Sequence, residues 1–331
     1  MSREATVSRR IVVGVSGRSS TLVAIDWALE YAQNHDGLAI ELVHVIEDSW
    51  GFVPREIREG VAAQAQSQTD ELIERARLTA PGVTVTKIVS EGQPIGRLVE
   101  RTDDAELLVV ATHPLRRFGN QVFSTGAAQI AARAHCSVAV IPDLKVPRGH
   151  KPLPESLPAP PPELRPQRRS ESLVESSLGQ RTASSRPAVV VGVDGSPISD
   201  LAIQFAADEA ARKEVPLVVV YSWRMPSPMI AADMESGWLH EPTPADGRVL
   251  TEAVRDLPER YPGLEIVLEM TGSAPIDALR DAAKDAQLLV IGTHGRQGLS
   301  RFWLGSVSHQ ILLAMPCPVV VVRPPQTPVH E

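Results

Sequence analysis

Short apolar runs bounded by glycine, proline or polar clusters recur along this chain, separated by stretches with helical spacing. Runs near 11–16, 38–46, 84–90, 106–111 and 137–142 read as buried β-strands, because they are apolar throughout but too short for buried helices. Between them, apolar residues recur every three or four positions near 19–34, 57–79, 94–104 and 124–134, which predicts amphipathic helices. The second half repeats the alternation, with strands predicted near 188–193, 216–222, 264–270, 287–292 and 318–323, and helices near 198–213, 246–259, 275–285 and 305–315. Strict strand–helix order implies a parallel sheet covered by helices on both faces and joined by right-handed crossovers.

The two halves match residue by residue. At one offset of 181, Thr112-His113 answers Thr293-His294, Gln129-Ile130 answers Gln310-Ile311, and Cys136–Ile141 answers Cys317–Val322. Ile11–Gly17 likewise answers Val189–Gly195. The chain is an internal duplication, and 331 residues suffice for two complete hydrophobic cores. The expected division is a first domain at 1–143, a linker at 144–187 and a second domain at 188–331. Within the linker, Pro158–Pro162, the basic patch Arg165–Arg169 and Ser-rich sequence supply too little apolar surface for a core. It reads either as a solvated tether or as a docking or phosphorylation segment around Ser170, Ser172, Ser176 and Ser177. Residues 224–247, with four prolines, three methionines and Trp238, form a long loop that either packs on its own domain or serves as a lid or partner surface.

Composition narrows the class. A makeup of 43% apolar and 22% charged residues is that of a soluble globular protein. The net charge of −7 argues against nucleic acid as main partner, since phosphate-backbone binding needs a basic face. No apolar run approaches the roughly 20 residues of a membrane span, and the opening residues lack a signal core, so no membrane association and a cytoplasmic location are expected. The two cysteines, one per repeat, read as buried small hydrophobes.

The strongest chemical signal is Gly292-Thr-His-Gly295, followed by Gly305-Ser306, between the apolar run Leu288–Ile291 and a helical segment. Glycines after a strand allow close backbone approach to a ligand, and a Gly-Ser pair opening a helix presents unpaired amides and a hydroxyl. The pattern reads as a phosphate cradle for a nucleotide. Asp194, ending the first strand of this half, lies where open α/β sheets bind ligands and can accept hydrogen bonds from a ribose or base edge. The first half carries the frame in degraded form: Ala111, Pro114 and Ser124-Thr125 replace the cradle, and Ser16 replaces the carboxylate. Proline has no N–H and a fixed φ, so nucleotide binding there is expected to suffer.

These elements resemble the universal stress protein family, specifically its tandem-domain members. Gly292, Gly295, Gly305 and Ser306 meet that family's ATP pattern Gly-x2-Gly-x9-Gly-(Ser/Thr), and Val191–Ser196 and Cys317–Val322 match its start and finish. The resemblance implies two tandem, doubly wound, parallel-sheet α/β domains of Rossmann-like type. It implies ATP in the second, with Asp194 near the ribose and adenine beside Gly195 and Ser196, and backbone around Trp223 at the adenine edge. Gly292 and Gly295 flank the phosphates and ribose, and Gly305, Ser306 and Val307 bind phosphate. Mg²⁺ is compatible with such a site, held largely through phosphate oxygens and water. The family pairs its last strands across a dimer axis, which implies that 137–143 and 318–323 pair within this chain as a pseudo-dimer, with a homodimer as a further option.

The function so implied is a nucleotide-sensing regulator in stress or dormancy with an unidentified protein partner. Two alternatives stay open: a slow ATPase or adenylyl-transfer enzyme using the same cradle, and a nucleotide-independent scaffold. Walker, His-Glu-x-x-His, Gly-x-Ser-x-Gly and Cys-x-x-Cys patterns are all missing from the sequence, and no catalytic residue is assigned. His113 and His294 occupy equivalent places in the degraded and intact frames, which favours a structural role over proton transfer. Arg296 and Arg301 either neutralise phosphate or stand in solvent.

Overall fold

The computed structural model describes residues 9–18, 20–47, 54–112, 126–143, 187–223, 244–293 and 304–324. In the first half, strands β1 (Arg10–Val15), β2 (Ala39–Glu47), β3 (Val85–Gly92), β4 (Leu107–Thr112) and β5 (Ser137–Pro142) alternate with helices α1 (Ser20–Gln33), α2 (Arg55–Thr79), α3 (Pro94–Glu100) and α4 (Gly126–Arg133). The second half contributes β6 (Val189–Val193), β7 (Leu217–Ser222), β8 (Ile266–Thr271), β9 (Leu288–Gly292) and β10 (Val319–Val322). Its helices are α5 (Pro197–Arg212), α6 (Pro244–Ala253), α7 (Leu257–Arg260), α8 (Pro275–Ala282) and α9 (Ser306–Ala314).

All ten strands form one sheet in the order β3-β2-β1-β4-β5-β10-β9-β6-β7-β8. Pairing is parallel within each half, and the halves join by the antiparallel pair β5–β10, with Val320 opposite Ala139. The expected intrachain pseudo-dimer is therefore one continuous sheet, and the join covers two hydrophobic edges.

Strand side chains alternate between two core layers, as a period of two requires. Val189, Val191 and Val193 share one layer with Leu217, Val219 and the α5 residues Ala202, Ile203 and Ala206, together with first-half Ile11, Val13, Ile25 and Leu29. Val190, Val218, Leu289 and Ile291 face the other layer, with Leu279 of α8 and Ile311 and Leu312 of α9. Both layers run through both halves.

Three expectations need correction. The helix predicted over 246–259 is broken: α6 ends at Ala253, and α7 starts at Leu257. Pro258 in its first turn has no amide for the Val254 carbonyl, so the α-helical ladder stops there. The helix predicted over 94–104 ends at Glu100, where Arg101 and Thr102 close it with short-range bonds to Leu98 and Val99. Of the loop expected over 224–247, residues 244–247 open α6, and the remainder with Trp238 lies outside the described residues. Among the described residues, no helix is long and apolar enough to cross a membrane.

Both cysteines are buried, and burial pushes each thiol up to about 12, as expected of inert packing residues.

Candidate functional site

The order in which successive strands are added to the sheet reverses between the parallel neighbours β9 and β6. α5 follows β6 onto one sheet face and α9 follows β9 onto the other, leaving a crevice at the carboxyl ends of these two strands. Asp194 and Gly195 follow β6, Trp223 follows β7, Gly292 ends β9, and Gly305 caps α9. The described members of the expected set thus gather at one end of the sheet. Gly295, His294, Arg296 and Arg301, and in the first half His113, Pro114 and Ser124-Thr125, lie outside the described residues.

At the end of β6, Gly195 adopts φ +75°, a left-handed conformation that glycine takes without strain. The turn brings Ser196 back onto Asp194, whose Oδ1 accepts from the Ser196 amide at 3.0 Å and the Ser196 hydroxyl at 2.5 Å. Ser196 is buried, so its part is to fix the carboxylate rather than to offer a free hydroxyl. Trp223 is held by its amide bond to the Thr271 carbonyl at 3.2 Å, and its ring lies over Gly272, where an added Cβ would stand 2.5 Å from Cζ2.

The reason for glycine at 292 differs from the one its motif suggests. A Cβ there would lie 3.0 Å from Ile198 Cγ2 of α5, so packing against that helix favours glycine at this position. Gly192 does the same for Leu279 at 2.9 Å, and Gly14 for the equivalent Leu98 at 3.2 Å. These glycines let helices close onto the sheet.

Across the crevice, the ends of β9 and α9 are clasped by two short bonds. The Gly305 amide donates to the Thr293 carbonyl at 2.6 Å, and the Ser308 hydroxyl donates to the Gly292 carbonyl at 2.7 Å. The Gly305 amide, expected at phosphate, is therefore committed within the protein. The first bond within α9 runs from the His309 amide to the Gly305 carbonyl, and no side chain caps the helix. Among the described residues, no acceptor takes the amides of Ser306, Val307 and Ser308, as at any uncapped helix start. With the positive end of the α9 dipole, they present a region of positive potential at the helix start. Ser306 itself is exposed, whereas Val307 is half-buried.

Thr293 and Ser308 were not singled out by motif. Thr293 is fully buried, and its Oγ1 has no partner among the described residues. It continues the alternation of Leu289 and Ile291, placing its side chain on the α9 face. A buried hydroxyl without a partner is costly, and this one sits on the residue whose carbonyl receives the Gly305 amide.

The described residues of the first half differ from this arrangement. The Ser16 amide donates to Thr21 Oγ1 at 3.0 Å, and Gly17 takes φ +59°, but no carboxylate stands there. Ala127 occupies the place equivalent to Ser308 and has no hydroxyl to tie α4 to its strand.

Comparison with known proteins agrees with this architecture. A universal stress protein from Mycolicibacterium smegmatis is 28% identical over 324 residues, covering 95% of this chain and 97% of the relative. One from Mycobacterium tuberculosis strain H37Rv is 28% identical over 328 residues, covering 95% and 96%. Among solved structures, a universal stress protein from Archaeoglobus fulgidus superposes with a TM-score of 0.63 at 14% identity, covering 96% of each chain, which supports the fold. The universal stress protein family profile matches residues 8–142 and 186–323. With matches spanning both repeats and most of its length, this chain belongs to the universal stress protein family.

Proposed function

We propose that the second half binds ATP and that the protein is a nucleotide-sensing regulator of a stress or dormancy response. The observation that carries this reading is the open amino end of α9 at the β6–β9 crevice, where the amides of Ser306, Val307 and Ser308 face no protein acceptor among the described residues. Phosphate suits such a surface. The Thr293 hydroxyl, without a partner among the described residues, is a further polar group at this junction. Asp194, fixed by Ser196 after the Gly195 turn, is the acceptor for ribose, and the Trp223 backbone is the contact for adenine. Gly295 completes the sequence pattern with Gly292, Gly305, Ser306 and Val307. Mg²⁺ accompanies the phosphates with water as its main remaining ligand.

The nucleotide acts on a protein partner in the cytoplasm by altering the surface near the cradle, and only to the extent that it binds one conformation more tightly. Residues 1–143 and 188–331 act as the two domains joined by 144–187, with binding mainly in the second. Calorimetric titration of nucleotide-stripped protein with ATP tests this. One site per chain, lost in Gly305→Asp, supports the reading; absence of heat together with absence of co-purified nucleotide sinks it.

A further inference from the structure

Helix α9 presents its amides usefully only if its first turn is held at a fixed height and angle over the end of β9. That turn has no side-chain cap, and Ser306 at its start is exposed. The side chain that ties it down is Ser308, third in the helix, whose buried hydroxyl donates to the Gly292 carbonyl at 2.7 Å. Gly292 in turn faces Ile198 of α5, where an added Cβ would stand 3.0 Å from Cγ2. The second tie, from the Gly305 amide to the Thr293 carbonyl, closes the same junction. A chain of contacts thus runs from α5 through the end of β9 to the first turn of α9.

We infer that Ser308 is a positioning residue for the phosphates of the bound nucleotide. Its hydroxyl fixes the Ser306 and Val307 amides at the mouth of the crevice, acting through the Gly292 carbonyl. Resting on the ATP reading above, this inference adds a residue outside the Gly-x2-Gly-x9-Gly-(Ser/Thr) pattern. Two observations support it independently. Among the described residues the fully buried Thr293 hydroxyl has no partner, which leaves a polar group unsatisfied at this junction. The degraded first half, which has lost the cradle glycines, carries Ala127 at the equivalent position. α4 nevertheless forms there with Ala127 and Ala128 buried, so the hydroxyl is not needed to build the helix.

Because Ser308 acts on the phosphate end alone, its removal separates ligands by their phosphate content. The test is calorimetric titration of the full chain with ATP and with adenosine, for wild type, Ser308→Ala and Ser308→Thr, with melting temperature recorded for each. One well-placed hydrogen bond is worth about 1 kcal/mol, so Ser308→Ala is expected to weaken ATP about fivefold while leaving adenosine unchanged. Ser308→Thr keeps the hydroxyl and restores ATP affinity. Unchanged ATP affinity in Ser308→Ala, or parallel losses for ATP and adenosine, overturns the inference while the ATP reading stands. Wild-type protein that binds no ATP overturns both.

Discussion

Glu209 Oε1 of α5 lies 3.3 Å from His35 Nε2, just past the end of α1, and both side chains are buried at the seam between the two halves. His35 Nδ1 is 2.8 Å from the Tyr31 carbonyl, which can only accept, so Nδ1 carries a proton. Glu209 Oε1 is buried with no hydrogen-bond partner among the described residues, so at 3.3 Å the contact is electrostatic and becomes an ion pair only when His35 is protonated. Tyr31 stacks on His35 at 4.0 Å, leaving little room for water. Around the pair stand Glu30, Asp208, Arg212 and Lys213 from the two helices, with Arg9 and Glu106 from the adjoining strand starts. Burial pushes the Glu209 carboxyl up to about 7, partly offset by Lys213 and Arg212, and burial lowers the His35 imidazole.

The sign of the pH dependence follows. A carboxyl raised from its ordinary value binds more protons folded than unfolded, so its contribution to stability is full below about 4.5 and lost as pH rises through about 7. The lowered His35 works oppositely, costing stability as pH falls below its ordinary 6.5. Glu209→Gln isolates the carboxyl, because an amide of nearly the same shape does not titrate. Its expected gain is about 2 kcal/mol at pH 8, taken below the full linkage value for a shift of this size, and disappears near pH 5. Urea unfolding of both proteins at the two pH values measures it; equal stabilities at pH 8 contradict the argument.

A second tie crosses the join itself. Arg323, following β10, donates from its guanidinium to the carbonyls of Ala131 and Ala132 at the end of α4, with one bond to Ala131 at 2.9 Å. Its amide also donates to Ser137 Oγ at 3.2 Å. A cation on the last carbonyls of a helix satisfies orphan acceptors and opposes the negative dipole end. The equivalent first-half residue is Pro142, so the tie is one-sided. Arg323→Ala is expected to cost about 2 kcal/mol in urea unfolding. Arg323→Lys recovers only part of it, since an ammonium lacks the planar fork.

The alternation of strands and helices was legible because Leu288–Ile291, Val319–Val322 and their counterparts are apolar on both faces, as a central parallel strand must be. The clustering of Asp194, Trp223, Gly292 and Gly305 followed from the strand ends they occupy. The reasons for particular residues were less legible, because the partners are distant in sequence. Ile198 explains Gly292, Glu209 meets His35, and Ser308 finds Gly292 only once α9 is folded against β9. Two signals were present: Pro258 inside a helical pattern, and Glu209 on the same stripe as buried Ala202, Ala206 and Ala210. A carboxylate on an apolar stripe points to a buried partner.

Packing at Gly292 gives a coupling test. Gly292→Ala places a methyl 3.0 Å from a branched Ile198 methyl and is expected to cost about 1–3 kcal/mol by overpacking. The first half has Ala111 and Ser20 at the corresponding places, a larger strand residue matched to a smaller helix residue. In an Ile198→Ala background the added methyl therefore has room, and the cost of Gly292→Ala is expected to shrink by at least about 0.5 kcal/mol in a double-mutant cycle. Strict additivity of the two substitutions excludes the contact as the reason for glycine.

Glu214 ends α5 in the left-handed region, with φ +51°, while the Val215 amide reaches back to the Ala210 carbonyl at 3.0 Å. This is the closure that glycine usually makes, and a Cβ there is strained. Glu214→Gly relieves that strain but gives the unfolded chain more freedom. The net expected gain is up to about 1 kcal/mol, read as a rise in melting temperature.

Thr293 separates an idle hydroxyl from a useful one. With Oγ1 buried and unpartnered among the described residues, Thr293→Val replaces it by a methyl of nearly the same shape and removes a desolvation penalty. The nucleotide-free protein is then expected to gain about 1–2 kcal/mol. If the bound nucleotide supplies the missing acceptor, the same substitution weakens ATP by about the worth of one hydrogen bond, roughly fivefold. Stability and affinity therefore move in opposite directions, which an ordinary packing defect does not produce. A lower melting temperature for Thr293→Val with unchanged ATP affinity means that the hydroxyl is already satisfied within the protein and does not meet the nucleotide.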